Sequence, residues 1–207
     1  MAQLLTIHPD NPQQRLVSQV VDALHAKGTV IVYPTDSGYA LGCAIGDADG
    51  LERIRRIRDL DKHHNFTLIC NDLSELANYA QVSNPIFRLL RANTPGPYTF
   101  ILPATKEVPK KLQHEKRRTI GLRIPQNNIA LAIVAELSLP LMSVSLIMPG
   151  ETAPLGAIEE IIERLDNLVD IIVDGGFCGI EPTTVIDFSD DTIRIARKGK
   201  GDVTPFL

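Results

Sequence analysis

Thr35, Asp36 and Ser37 place two hydroxyls and a carboxylate directly behind the β-branched run Val30-Ile31-Val32-Tyr33. β-Branched side chains favour a strand, and Pro34, which cannot donate to a ladder, is expected to close it. The polar groups then fall at a strand's carboxyl end, where open α/β sheets take their ligands. The same stretch also reads as an ordinary polar turn. Arg53, Arg55, Arg56 and Arg58 crowd one short segment, opposed by Glu52, Asp59 and Asp61. They form either a solvated helix surface or a local anion site, and guanidinium forks suit phosphate geometry better than ammonium groups do. Arg58 stands out because it ends the expected helix beside the polar loop 59–65. His63 and His64 in that loop are adjacent and point apart, which favours solvated polar groups over a shared metal.

Two further stretches could meet an anion. Residues 106–118 carry Lys106, Lys110, Lys111, Lys116, Arg117 and Arg118 against Glu107 and Glu115. With no interleaved aromatic residue the stretch offers no base-stacking platform. It reads as a phosphate-tracking patch or a solvated loop. Ser143 and Ser145, two apart in Leu141-Met142-Ser143-Val144-Ser145, share one face of a strand. There they reach one ligand together or are satisfied by nearby backbone.

The elements that must position these groups follow from periodicity and punctuation. Asn11-Pro12 reads as a helix start. Leu16, Val17, Val20, Val21 and Leu24 continue it at helical spacing, and Gly28 stops it. Asp47 can cap a second helix with Leu51, Ile54 and Ile57 on its apolar side. Strands are expected over 66–70, 98–102, 119–124, with Arg123 near its end, 141–145 and 170–173. Helices are expected over 72–80, 84–91 with Asn84-Pro85 as the start, 127–137 and 158–165. Residues 149–157 read as a loop rich in proline and glycine. The stretches 182–188 and 192–197, joined at Asp190-Asp191, form an antiparallel hairpin. Helix and strand therefore alternate, but the hairpin prevents a purely parallel sheet. The expected architecture is α/β: a twisted open sheet of mixed parallel and antiparallel strands with flanking helices, one domain over 1–207.

Composition removes several function classes. The 207 residues are 44% hydrophobic and 22% charged, which describes a globular chain with a sizeable core rather than a disordered one. A net charge of −4 gives no global reason to bind nucleic acid, so any such site must be local. No leader pattern follows Met1 and no apolar run approaches spanning length, so the expectation is a cytoplasmic protein without membrane contact. Cys43, Cys70 and Cys178 are widely separated, which argues against a disulfide framework or a cysteine zinc site. Gly-x-Gly-x-x-Gly, the P-loop, Gly-x-Ser-x-Gly and His-Glu-x-x-His are all missing. No catalytic nucleophile with a matched base is indicated, so an enzyme here would work by holding substrates together and stabilising phosphate charge.

Five ordered motifs nevertheless resemble one family across nearly the whole chain. Tyr33-Pro34-Thr35-Asp36, Thr94-Pro95-Gly96-Pro97-Tyr98-Thr99-Phe100, Gly121-Leu122-Arg123-Ile124-Pro125, Ser143-Val144-Ser145 and Pro182-Thr183-Thr184-Val185-Ile186-Asp187 stand in the order and spacing of the YrdC/YciO family. The openings His8-Pro9-Asp10-Asn11-Pro12-Gln13 and His64-Asn65-Phe66-Thr67-Leu68 look most like its YciO branch. The resemblance implies a deep, positively charged cavity on the twisted α/β sheet. It also implies a threonylcarbamoyl-AMP synthase chemistry, in which L-threonine, bicarbonate and ATP with magnesium give threonylcarbamoyl-adenylate and pyrophosphate. The product supplies the threonylcarbamoyl group of adenosine 37 in tRNAs. Members are also described as binding double-stranded RNA or tRNA, for which Arg55, Arg56 and Lys116 are the candidates here.

Residue by residue, the resemblance assigns Thr35, Arg123 and Ser143 to the amino acid. It assigns Arg58, Ser145, Thr183 and Arg197 to the nucleotide, Arg58 standing where the family's Lys-x-Arg motif opens. Two positions depart from the pattern. Leu60 replaces the second basic residue of that motif, and Ile147 replaces the asparagine of Ser-x-Asn. Each lost contact of this kind costs about 2–4 kcal/mol in a transition state. Asp36 is also one methylene shorter than the glutamate common there. The expectation is a surviving cavity with weak or redirected synthase activity, with RNA binding as the alternative role.

Overall fold

The computed structural model describes residues 1–61, 64–190 and 192–207. Its elements run β1 (Gln3–Thr6), α1 (Gln14–Leu24), β2 (Ile31–Thr35), β3 (Gly38–Ala44), α2 (Ala48–Arg58), β4 (Thr67–Ile69), α3 (Leu73–Tyr79), α4 (Asn84–Asn93) and β5 (Tyr98–Pro103). They continue with β6 (Thr119–Arg123), α5 (Asn128–Leu137), β7 (Leu141–Ser145), α6 (Ile158–Leu165), β8 (Ile171–Asp174), β9 (Thr184–Asp187) and β10 (Arg194–Arg197). All ten strands join one sheet in the order β1-β8-β2-β3-β7-β4-β6-β5-β9-β10. Parallel pairs (β1/β8, β2/β8, β4/β6, β5/β9) mix with antiparallel ones, as the alternating pattern and the final hairpin predict.

The sheet's two faces are covered unequally, and this positions the site. Side chains alternate across a strand. Val32, Leu41, Leu68, Leu122, Met142, Phe100 and Ile186 therefore share one face, which is closed by Leu51 and Ile54 of α2, Leu76 of α3, Leu90 of α4 and Ile161 of α6. On the other face Ile31, Tyr33, Ala40, Ile171 and Val173 are covered by Val17, Val20, Val21 and Leu24 of α1 and by Ile129, Ile133 and Val134 of α5. Those two helices lie over the β8-β2-β3 side. Neither of them packs on the same face of β6, β5 and β9, no residue of which joins their cluster.

Three expectations are corrected. Pro34 does not close β2: the strand continues to Thr35, with Pro34 paired to Tyr39 of β3. It is tolerated because β8 is in register only with Ile31 and Val32, so no second ladder asks for its missing N–H. Thr35 is the last residue of β2, opposite Gly38, and Asp36 and Ser37 make the tight connection to β3, so the three polar residues do stand at the strand's carboxyl end. Helix α1 starts after Gln13, not at Asn11-Pro12, because the His8 imidazole Nδ1 accepts from the Asp10 and Asn11 N–H groups and holds 8–11 as a turn. Helix α4 is preceded by Ser83, with Asn84 and Pro85 already helical. Asp191 of the expected hairpin turn and His63 of the histidine pair lie outside the described residues, and β9/β10 pair antiparallel as expected.

Asp47 caps α2 as expected, accepting from the Asp49 and Gly50 N–H groups, and its second oxygen accepts from Gly28 N at 2.7 Å. It thereby fixes the helix that carries Arg58. Asp47→Ala is expected to destabilise the protein by about 2 kcal/mol and Asp47→Asn by less, read from urea melts.

Candidate anion-binding cavity

The uncovered part of the sheet face is the floor of a cavity of about 250 Å³. Register explains its chemistry. Ala40 lies opposite Ser145, Thr67 opposite both Ser143 and Gly121, Ile69 opposite Arg123, and Thr99 opposite Val185, all pointing the same way. These side chains are mostly small or hydroxylic, whereas the opposite face of the same strands is Leu, Ile, Phe and Met. At Gly121 an added Cβ would lie 3.1 Å from the Thr67 hydroxyl, so glycine keeps the floor low there.

Four arginines make the walls cationic. Arg58, Arg117, Arg123 and Arg197 line the space beside His64 and His114, and no carboxylate does among the described residues. Most of these guanidiniums have partners. Arg117 donates to Asp187 at 3.0 Å. Arg197 donates to the Thr183 carbonyl and hydroxyl, both at 3.0 Å, and that hydroxyl lies 2.8 Å from Thr99 Oγ1. Arg123 pairs with Asp36. Arg58 differs: its Nε and Nη1 are buried with no hydrogen-bond partner, and burial lowers its pKa. Buried donors without acceptors are costly, so this end of the cavity holds hydrogen-bond donors that the protein itself leaves unsatisfied. Burial, and secondarily Arg123, lower the pKa of Arg197 as well.

The opposite end is more fully satisfied. Tyr33 is buried beneath β7 with its hydroxyl 2.5 Å from Ser143 Oγ. Burial pushes this phenol up to about 12, so it stays neutral. The Thr35 hydroxyl donates to the Gly38 carbonyl at 2.6 Å and lies 3.5 Å from Arg123 Nη2.

Six of the seven residues assigned to small ligands therefore line one recess: Arg58, Arg123, Ser143, Ser145, Thr183 and Arg197. Thr35 is buried behind Arg123 and reaches the recess through it. Of the RNA candidates, Arg55 and Lys116 line a second hollow of about 680 Å³ with Lys110 and Lys111. That hollow adjoins the first through His64, Asn65, Leu112 and His114. Arg56 lines neither hollow, and the Arg55 guanidinium is already engaged by the Asp61 carbonyl and the Phe66 ring. Ile147 is on the cavity wall, whereas Leu60 packs against the core. Tyr33, Thr67 and Thr99 stand in the family motifs without an assigned role, and His114 had no signal. For Thr67 and Thr99 the signal was the alternation of small or hydroxylic with large apolar residues in β4, β5, β6 and β7.

Comparison with known proteins places the chain in a family. The family profile Sua5/YciO/YrdC, described as "Telomere recombination", matches residues 23–199. The chain belongs to the Sua5/YciO/YrdC family. The YciO protein of Escherichia coli (strain K12) is 57% identical over the whole of both chains, and its crystal structure superimposes with a TM-score of 0.96. A threonylcarbamoyl-AMP synthase of Vibrio vulnificus (strain YJ016) is 28% identical, covering 77% of this chain and 86% of that protein. Sua5 of P. abyssi, crystallised with L-threonine, shares the fold with a TM-score of 0.86 at 22% identity, over 95% of this chain and 57% of that one. Among the described residues no helix is long and apolar enough to cross a membrane.

His64 gives the site a pH signature. Burial lowers its pKa, and the Arg58 charge lowers it further. The folded protein protonates later than the unfolded chain. The stabilisation is therefore intact above the ordinary histidine value of 6.5 and is lost as pH falls through the folded value below it. His64→Gln is expected to flatten the loss of stability as pH falls below the ordinary histidine value, read from urea melts.

Proposed function

We propose that this protein binds ATP and a small acid, L-threonine or a related compound, in the basic cavity, and retains weak or redirected threonylcarbamoyl-AMP synthase activity. The observation that carries this reading is the Arg58 guanidinium, buried on the wall with two donors unpartnered. A polyphosphate supplies the missing acceptors. Arg58 and Arg197 would hold its charge, and Ser145 and the Thr183 hydroxyl would orient it. Arg123 and Ser143 would take the amino acid at the Thr35 end. Kinship to threonylcarbamoyl-AMP synthases supports the same assignment.

In that reaction the threonine amine adds to bicarbonate and water leaves to give a carbamate, whose oxygen attacks the α-phosphorus of ATP and expels pyrophosphate. The residues here contribute proximity and charge stabilisation. The cavity wall offers magnesium no carboxylate among the described residues, and no group of three metal-ligating side chains occurs there. Magnesium would thus arrive with the ATP phosphates and not in a protein-built site. Ile147 gives the wall a methyl surface where synthases are expected to place an amide, which supports slow or altered chemistry.

RNA binding is a second reading. It is supported by Lys110, Lys111 and Lys116 in the adjoining hollow. It requires affinity that falls steeply with salt and drops when Arg55, Arg56 and Lys116 are neutralised.

Calorimetry with ATP–magnesium is expected to show binding, coupled to L-threonine. Pyrophosphate release should need both L-threonine and bicarbonate, run well below that of a committed synthase, and vanish in Arg123→Ala. Absence of nucleotide binding would overturn the proposal. Arg58→Met is expected to raise stability of the ligand-free protein by about 1 kcal/mol while weakening ATP binding, because it removes unsatisfied buried donors.

A further inference from the structure

The guanidinium at the acid end of the cavity already has a carboxylate behind it. Asp36 sits in the β2–β3 connection, and its Oδ1 pairs with Arg123 Nη2, both side chains being more than nine-tenths buried. Its Oδ2 accepts from the Gln126 N–H at 2.8 Å, and its backbone carbonyl accepts from Lys200 Nζ. Segment 123–126 thus grips both carboxylate oxygens, and Lys200 holds the backbone that carries them. Asp36 itself does not line that space, so it reaches Arg123 from behind. Arg123 Nε, by contrast, is buried without a partner. A carboxylate arriving from the cavity therefore meets an arginine whose charge is half spoken for and whose remaining donor is still unsatisfied.

We propose that Asp36 is a specificity-determining residue: an internal carboxylate that competes with the substrate's carboxylate for Arg123, so that the acid subsite fills only when the ligand outbids it. This rests on the reading of the cavity given above. A buried guanidinium can serve two carboxylates only by dividing its donors between them, and the protein's own carboxylate has no association entropy to lose. Small acids without further contacts should thus bind weakly. An acid whose other groups reach Ser143 can win, which makes the pair a filter against simple carboxylates. The shorter side chain of aspartate, pinned by the Gln126 N–H, keeps this competitor in place.

The test is titration of wild type, Asp36→Asn and Asp36→Ala with sodium acetate and with L-threonine, read by calorimetry and by thermal melting. The variants leave Arg123 buried and unpaired, so they should melt lower than wild type. Acetate should restore the melting temperature of Asp36→Ala while leaving wild type unmoved. L-Threonine affinity should rise about tenfold in both variants, since freeing the competent subsite removes a population penalty. Unchanged or weakened L-threonine binding in folded variants, with no acetate rescue, would overturn the proposal and make Asp36 purely structural or a direct ligand. ATP–magnesium binding by wild type separates the two ideas: if wild type binds neither ATP nor L-threonine and the variants gain neither, the cavity reading itself has failed. If wild type binds ATP and the variants gain no acid affinity, only the role of Asp36 has.

Discussion

Strand β7 is the constraint on which the rest of the structure depends. It is hydrogen-bonded antiparallel to β3 on one side and to β4 on the other, and so joins β1-β8-β2-β3 to β4-β6-β5-β9-β10. A one-residue slip would turn Met142 and Leu141 to the wrong faces, which the two apolar layers forbid. With register fixed in this way, Ser143 and Ser145 must face the same side as Tyr33, Arg123 and Thr67. Helices α1 and α5 cover that side only toward β8 and β2. The cavity is what remains: sheet floor that these two helices leave uncovered.

Electrostatics then decides what the hollow is for. The whole chain carries −4, yet the cavity wall shows arginines and histidines and no acid among the described residues. Carboxylates approach from outside it: Asp187 behind Arg117 and Asp36 behind Arg123. Burial tends to raise the pKa of Asp187, but hydrogen bonds from Ser189 and the charges of Arg117 and Arg194 hold it down. Each such pair fixes a guanidinium without spending its cavity-facing side. Arg58 has no acid of this kind behind its Nε and Nη1, and the free protein bears that cost. Its donors therefore have most to gain from a ligand with phosphate oxygens.

What the sequence revealed follows from which interactions are local. Capping of α2 by Asp47, the Ser143/Ser145 pairing on one face and the β9/β10 hairpin are all short-range, and each was legible. Strand β3 was not, because Gly38, Ala40, Gly42 and Ala44 give it almost no β-branched signal. The structure shows why they are small: a Cβ at Gly42 would fall 2.7 Å from Leu141 Cδ2 and 2.9 Å from Tyr33 Cε1. Strand β1 was missed for another reason, since it is an edge strand with only Leu5 buried. The continuation of β2 through Pro34 depended on where β8 stops pairing, which is a property of residues 140 positions away. Similarly, the Asp36–Arg123 pair links positions 87 residues apart and leaves no local trace. The family motifs named most of the cavity residues, but the partner behind each arginine could be read only from coordinates.

The central claim is that the unpartnered Arg58 guanidinium is the anion's seat. The most direct measurement is arginine side-chain NMR during titration with ATP–magnesium, with the Arg58 Nε–H signal assigned from its loss in Arg58→Met. A large downfield shift of that signal, saturating with the nucleotide, is the expected result. A nucleotide that binds while the Arg58 signal stays fixed would contradict the account.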